Sequence, residues 1–322
     1  MENNQTKRAI RFVVFPGFEL LDLGGPLCAF NLAAEFHSAN YDIQIISATG
    51  GLVRGSSGVA IETSMFSSAQ HIDTLVVVGA PTTEILSHQT ETANLIRELA
   101  SHTRRKASVC TGAFLLAAAG LLDGCHATTH WRYCSELQQR HPKLKVEADR
   151  IFIRENDVWT SAGITAGIDL ALAMIEEDCG IEVSKSIARD LVVYHRRSGG
   201  QSQFSTMLDL EPRPGRIRDA LSYARTHLRE NLSVEQLADV ARISPRQFAR
   251  QFAAETGETP ARAVERLRCE AAISRIEGTS EPFDQIAIHV GFGDIERMRR
   301  ACLRLYGHPP QALRRQSRGE NL

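Results

Sequence analysis

The sequence predicts an α/β domain with a central, mostly parallel sheet, followed by a smaller all-α domain. Three observations carry that prediction. From Arg8 to about Ser198, short runs that are apolar on both faces alternate with amphipathic stretches, as buried parallel strands alternate with helices. After Gly215 no strand-like run remains, and Gly and Pro punctuate helical patterns rather than interrupt them. The charge divides at the same place. Residues 1–212 hold 18 Lys and Arg against 24 Asp and Glu, whereas residues 213–322 hold 19 Arg, no Lys and 14 acids. An acidic module joined to a basic one suggests that the second meets phosphate.

The strands of the first domain are AIRFVVF, YDIQIISA, DTLVVVGA and KASVCTG, with TETANLIRELASHTRR as an amphipathic helix between the last two. IFIREND and VWTSAG read as a hairpin turning at Asn156-Asp157. ITAGIDLALAMIEEDCG is a helix with Ile168, Leu172 and Ile175 on one face and Gly180 past its end. At 322 residues, 43% hydrophobic and 23% charged, the chain reads as soluble and long enough for two cores. The longest apolar stretch, Phe114 to Leu122, is too short to cross a bilayer, and MENNQTKR has no signal-type h-region behind it, so no secretory signal is expected. Seven cysteines, an odd number without regular spacing, argue for a reducing compartment, so the cytoplasm is expected.

The segment RRSGGQSQFSTMLDLEPRPG, from Arg196, sustains no period. It places a linker at 198–214, between domains at 8–197 and 215–318. In the second domain, NLSVEQLADVARISPRQFARQFAAETG gives two short helices and a tight turn. Ser233 with Gln236, and Ser244-Pro245 with Gln247, fit capping boxes. Leu237, Ala241, Phe248 and Phe252 form a small core, leaving Arg246 and Arg250 roughly opposite the two Phe residues. That is the layout of a recognition helix. EPFDQIAIHVGFGDIERMRRACLRLYG repeats the pattern, with Asp294 as cap and Met298 and Cys302 in the places of the two Phe residues. Glu296, Arg297 and Arg300 fall on other faces. TPARAVERLRCEAAISRIEG is a long helix between the units; holding the recognition helices about 34 Å apart lets both enter successive major grooves.

Cys110 stands where KASVCTG passes from strand to helix. Nucleophilic chemistry wants a thiol at a helix N-terminus, a nearby base and oxyanion donors. Thr111, Gly112, Gly79 and Ala80 offer backbone N–H groups, and Asp22 and His130 lie near other strand ends. In a doubly wound sheet such positions converge on one edge. The same residues read equally as a small buried cysteine and a satisfied histidine. CHATTHWRYC also spaces His126, His130 and Cys134 as ligands on a helix would be. Thr128 and Thr129 favour a strand instead, so no metal is expected.

Residues 216–316 resemble the AraC/XylS family of DNA-binding domains through LSVEQLADVARISPRQFARQFAAETGETP and IAIHVGFGDIERMRRACLRLYGHPP. The resemblance implies that Arg246, Arg250, Glu296, Arg297 and Arg300 read double-stranded DNA, with Gln247 nearer the phosphates. Met298 and Cys302 replace the family's usual aromatics, which predicts looser packing in the second unit. Residues 9 to about 195 resemble the ThiJ/PfpI branch of the class I glutamine-amidotransferase-like superfamily. FPGFELLDLGGP, SVCTGAFLLAAAGLLDG, ATTHWRY and VWTSAGITAGIDLALAMIEED carry that match. It implies a flavodoxin-like α/β sandwich with Cys110 on a nucleophile elbow and Asp22 and His130 beside it. Gly79, Ala80, Thr111, Gly163 and Thr165 complete the expected ligand site.

The two parts together resemble the GlxA family of regulators. That implies a sensor and dimerisation domain for a small nitrogenous metabolite, without catalysis, in a homodimer that works with RNA polymerase, usually as an activator. No cofactor is implied. The loop Gly79-Ala80-Pro81 replaces a double glycine common among relatives, which bears on any oxyanion hole. Two other functions stay open: a cysteine hydrolase or hydratase that also binds DNA, and a cysteine-based oxidant sensor.

Overall fold

The computed structural model describes residues 7–37, 39–66, 71–193 and 215–317, with residues 197, 199, 203, 210 and 212; the side chains of 87, 89, 316 and 317 are excepted. The chain divides into two compact units, 1–199 and 200–322. The expected linker, 198–214, falls largely outside the described residues. Among the described residues no helix is long and apolar enough to cross a membrane.

In the first unit the strands are β1 (Arg8–Val13), β2 (Tyr41–Ser47), β3 (Gly51–Arg54), β4 (Ala60–Met65), β5 (Thr74–Val77), β6 (Arg105–Val109), β7 (His126–Ala127), β8 (Lys145–Val146), β9 (Phe152–Glu155) and β10 (Val158–Ser161). The helices are α1 (Leu20–Phe36), α2 (Thr82–Ala100), α3 (Gly112–Ala118), α4 (Cys134–Arg140), α5 (Ala166–Cys179) and α6 (Ile181–Asp190). Eight strands form one sheet in the order β3-β4-β2-β1-β5-β6-β10-β9, and β7 pairs separately with β8. Its centre is parallel; only the outer pairs β3–β4 and β9–β10 are antiparallel.

Strand β1 explains why both faces must be apolar. Ile10, Phe12 and Val14 enter a core shared with α1 and α5, while Val13 and Phe15 enter another shared with α2 and α3. The hairpin turns at Asn156, whose φ of 56° suits Asn in the left-handed region. The segment FPGFELLDLGGPLCAF, read from sequence only as a motif, is mostly helix α1, with Pro26 inside it. A Cβ on Gly25 would lie 2.8 Å from Ile168 Cγ1, so this small-residue stretch lets α1 approach α5 closely.

The expected strand at Thr128 and Thr129 is corrected: β7 ends at Ala127. The Thr128 N–H donates to Thr160 Oγ1 at 2.9 Å, and the Thr129 hydroxyl donates to the Cys110 carbonyl at 2.7 Å, so both threonines bond outside a ladder. His126, His130 and Cys134 lie on a strand, a helix cap and a helix start rather than on one helix.

The second unit is helical: α7 (Arg216–Thr226), α8 (Val234–Ala241), α9 (Pro245–Thr256), α10 (Pro260–Gly278), α11 (Phe283–His289), α12 (Ile295–Tyr306) and α13 (Pro310–Ser317). It holds two cores. One joins α7, α8 and α9 to Ala263, Val264 and Leu267 of α10. The other joins α11, α12 and α13 to Cys269, Ala272, Ile273 and Ile276 of the same helix. Ser233 Oγ accepts the Gln236 N–H, and Gln236 Oε1 accepts from Leu232, one residue before the position a standard box uses. At Ser244 only the serine's half of the box forms, through the Gln247 N–H at 3.4 Å.

Candidate functional site

The elbow lies at the carboxyl ends of β5, β6 and β10, beside the point where the strand order reverses around β1. Cys110 has φ 58°, a strained conformation for a residue with a side chain, held by its N–H bond to Ser161 O at 3.0 Å. Glycines wall it in. A Cβ on Gly79 would stand 2.6 Å from Asp22 Oδ2, 2.8 Å from Cys110 Cβ and 2.9 Å from Thr111 Oγ1. A Cβ on Gly163 would stand 2.1 Å from Cys110 Cβ. The side chains of Asp22, Cys110 and Thr111 therefore meet around two residues that have none.

Asp22 is fully buried, and its Oδ1 accepts the Ile164 N–H at 2.5 Å. Its Oδ2 receives no N–H or hydroxyl donor among the described residues. Burial pushes its pKa up to about 6, against the lowering effect of the Ile164 N–H and the neighbouring thiol. Burial, then the adjacent Asp22 charge, pushes the Cys110 thiol well above its usual range. Burial thus works against charge on both partners, which does not favour an activated thiolate.

The remaining expected residues have their described bonds elsewhere. His130 caps a single 3-10 turn over Trp131–Tyr133, and its Nδ1 accepts the Arg132 N–H at 3.4 Å. Its ring lies beside Trp131 and Tyr133, and burial followed by the Arg132 charge lowers its pKa. None of the hydrogen bonds described for it reaches Cys110. Ala80 is tied down as well. Its N–H donates to Thr111 Oγ1 at 2.9 Å, while that hydroxyl donates back to Ala80 O at 2.6 Å, so this N–H is spent as an oxyanion donor. Thr165 precedes α5 and accepts from Arg197 Nη2 at 2.8 Å. Sequence reasoning missed the Ile164 N–H, because only the backbone turn at Gly163 (φ 86°) and Ile164 (φ 51°) aims it at Asp22.

In the second unit, α9 and α12 begin fifty residues apart and repeat one frame. Ser244 and Asp294 cap them, and Gly257 (φ 77°) and Gly307 (φ 73°) end them. Phe248 and Phe252 point inward from α9, and Met298 and Cys302 from α12, all 0–1% exposed. Met298 and Cys302, expected to pack more loosely than the family's aromatics, are fully buried in one cluster with Cys269 and Ile273. On the outward side the repeats differ. Arg246, Gln247 and Arg250 are exposed, with no side-chain hydrogen bond or ion pair described. Glu296 is held by Arg299 through two bonds of 2.8 Å, and Arg300 stands 3.9 Å from it. Arg297 remains exposed beside this cluster. Arg299 was missed from sequence, although its i,i+3 spacing from Glu296 is the visible signal.

A family model described as "DJ-1/PfpI family" matches residues 8–177, and one described as "Helix-turn-helix domain" matches residues 237–316. The chain is 26% identical over 329 residues to the HTH-type transcriptional regulator GlxA of Rhizobium meliloti, covering 98% of each chain. It is 34% identical over 185 residues to an isonitrile hydratase of Pseudomonas putida, covering 56% of this chain and 77% of that one. A ThiJ/PfpI family protein from Pseudomonas syringae superposes with a TM-score of 0.54 at 24% identity, over 73% of this chain and 89% of that one. With an amidotransferase-like elbow in one unit and paired helix-turn-helix units in the other, the chain belongs to the DJ-1/PfpI family, joined to an AraC-type DNA-binding domain as in the GlxA regulators.

Proposed function

We propose that the protein is a transcription activator of the cytoplasm that reads DNA through both recognition helices and is controlled by a small nitrogen-containing metabolite at the elbow. The carrying observation is Asp22: a buried carboxylate whose Oδ2 receives no N–H or hydroxyl donor. A ligand bearing N–H groups supplies the missing donor and offsets the burial cost. Arg246, Gln247, Arg250, Arg297 and Arg300 are the DNA-facing groups, with Glu296 among them. Asp22, Gly79, Cys110, Thr111 and Gly163 form the ligand site; Ala80, His130 and Thr165 support it through their neighbours. The protein acts as a homodimer through its first unit and with RNA polymerase, and the ligand shifts the dimer between two arrangements by binding one more tightly.

The test is a screen of amines, amino acids, betaines and amides, following melting temperature and each compound by NMR. A compound that raises the melting temperature, stays intact and loses its effect in Asp22→Asn supports a sensor. The similarity to isonitrile hydratase favours a second reading, a cysteine-dependent hydratase. Consumption of a compound by the wild type and not by Cys110→Ala would establish that instead. The raised Cys110 pKa and the engaged Ala80 N–H weigh against turnover.

A further inference from the structure

The two cores of the second unit share no residue. Helix α10 joins them, passing from Leu267, in the first core, to Cys269, in the second. A 19-residue helix, about 28 Å long, is a poor ruler by itself, because small bends at its middle displace both ends. Arg268 occupies that middle. Its Nε donates to Leu228 O at 3.1 Å and its Nη2 to Glu230 O at 2.6 Å, both in the loop between α7 and α8 of the first helix-turn-helix unit. From the other side comes Gly291, in the turn between α11 and α12 of the second unit. A Cβ there would lie 1.8 Å from Leu228 O and 2.9 Å from Arg268 Nε, and its φ is 85°. The two units thus touch backbone to backbone, with one guanidinium threaded between them.

Burial lowers the Arg268 pKa, and Arg297 on the second recognition helix adds like-charge repulsion. The cation is therefore kept between the units against an electrostatic cost. Arg304 of the second recognition helix also pairs with Glu265 in the first half of α10, but the arginine is exposed and the glutamate half-buried, so the pair is partly screened and a weak hold on an angle.

We infer that Arg268 and Gly291 clamp the two helix-turn-helix units at a fixed offset, making Arg268 the positioning residue that restricts the protein to DNA sites whose two recognition elements stand at one separation. A planar fork suits the task, since Nε and Nη2 present donors to the two carbonyls from separate atoms in one rigid plane, whereas a lysine's donors share a single nitrogen on a flexible stem. This inference rests on the proposed reading of DNA by α9 and α12.

The experiment is selection of duplexes from a random-sequence pool by the full chain as wild type, Arg268→Ala and Arg268→Lys, each first checked for a cooperative melt. The wild type is expected to enrich two elements about one helical turn apart, at a single separation. The variants are expected to enrich the same bases within each element, spread over neighbouring separations. A folded variant that keeps the single separation, or that changes the bases preferred within an element, overturns the clamp. If Arg268→Ala fails to melt cooperatively, Arg268→Lys is judged by the same criterion. A wild type that enriches no sequence overturns the DNA-reading assignment itself, which distinguishes that failure from failure of the clamp.

Discussion

The elbow and the outward face of the recognition helices keep their polar groups in opposite states. Asp22 and Thr111 are fully buried and Cys110 is 7% exposed, with burial working against charge on both the acid and the thiol. Arg246 and Arg250 are exposed and carry no ion pair among the described residues. As proposed, the first site acts only at contact distance, on a ligand that fits and brings its own donors. The second acts across a Debye length, about 8 Å at physiological salt, on any phosphate chain before it reads a base. Changes at the elbow should therefore appear as stability that depends on pH, and changes on the helices as binding that depends on salt.

The largest contrast comes from Gly163→Ala against Arg250→Ala. The new methyl at 163 meets Cys110 Cβ at 2.1 Å and Cα at 2.6 Å, on a backbone with φ 86°. Nothing flexible stands there to give way. Loss of more than about 4 kcal/mol is expected by urea denaturation, while Arg250→Ala stays within about 0.5 kcal/mol of wild type. Similar losses in the two variants would break the comparison.

Asp22→Asn sharpens it, and its sign runs opposite to most core substitutions. The Asp22 pKa rises from 3.8 to about 6 on folding, so between those values the folded protein holds a proton that the unfolded chain releases. Stability therefore falls as pH rises through this window, by about 3 kcal/mol in total, and is flat above it. Asn carries no such penalty. Its stability relative to wild type is expected to grow from pH 4 to pH 6 and then level, with little dependence on salt. Denaturation curves at pH 4 and pH 7.5 check this; an equal difference at both would show that Asp22 ionises freely.

These two sites were not equally legible in the sequence. The sheet, the hairpin and the paired helix-turn-helix units follow from short-range rules of period, turn and cap, which AIRFVVF, Asn156 and Ser233 each display. Cys110 was legible as an elbow because a strand and a helix meet at it. Its neighbours were less so. His130 follows the expected motif, yet its hydrogen bond goes to its own turn, and Ala80 spends its N–H on Thr111. The donor to Asp22 is a backbone N–H 142 residues away, which no side-chain pattern announces. Likewise the full burial of Met298 and Cys302 depends on what α10 and α13 place around them, which their own identities do not announce.

On the recognition helices, Arg246→Ala and Arg250→Ala are each expected to lower discrimination between DNA sites by about 1–3 kcal/mol where the guanidinium pairs with a guanine. Where it meets phosphate instead, affinity falls for all sequences and the salt slope shrinks by about one. Fluorescence anisotropy over a salt series separates the two. A loss that ignores salt and sequence alike would place these arginines outside the interface.

The smallest effect tests whether the two repeats differ in kind. Glu296 engages Arg299 and approaches Arg300, and the Arg299 bonds hold its carboxyl below the usual range. The equivalent position in the first repeat, fifty residues earlier, is Arg246. Glu296→Ala releases two guanidinium groups and removes a negative charge from the face that meets phosphate. Affinity for a duplex lacking the preferred sequence is expected to rise by no more than a few-fold, with a steeper dependence on salt. Glu296 then acts as a restraint on indiscriminate binding, paired with Arg299, in whose place the first repeat has Ala249, and close to Arg300, whose counterpart Arg250 is bare. A fall in affinity confined to duplexes with one particular base pair would show instead that Glu296 accepts a hydrogen bond from a cytosine amine, and that both repeats read bases by direct contact.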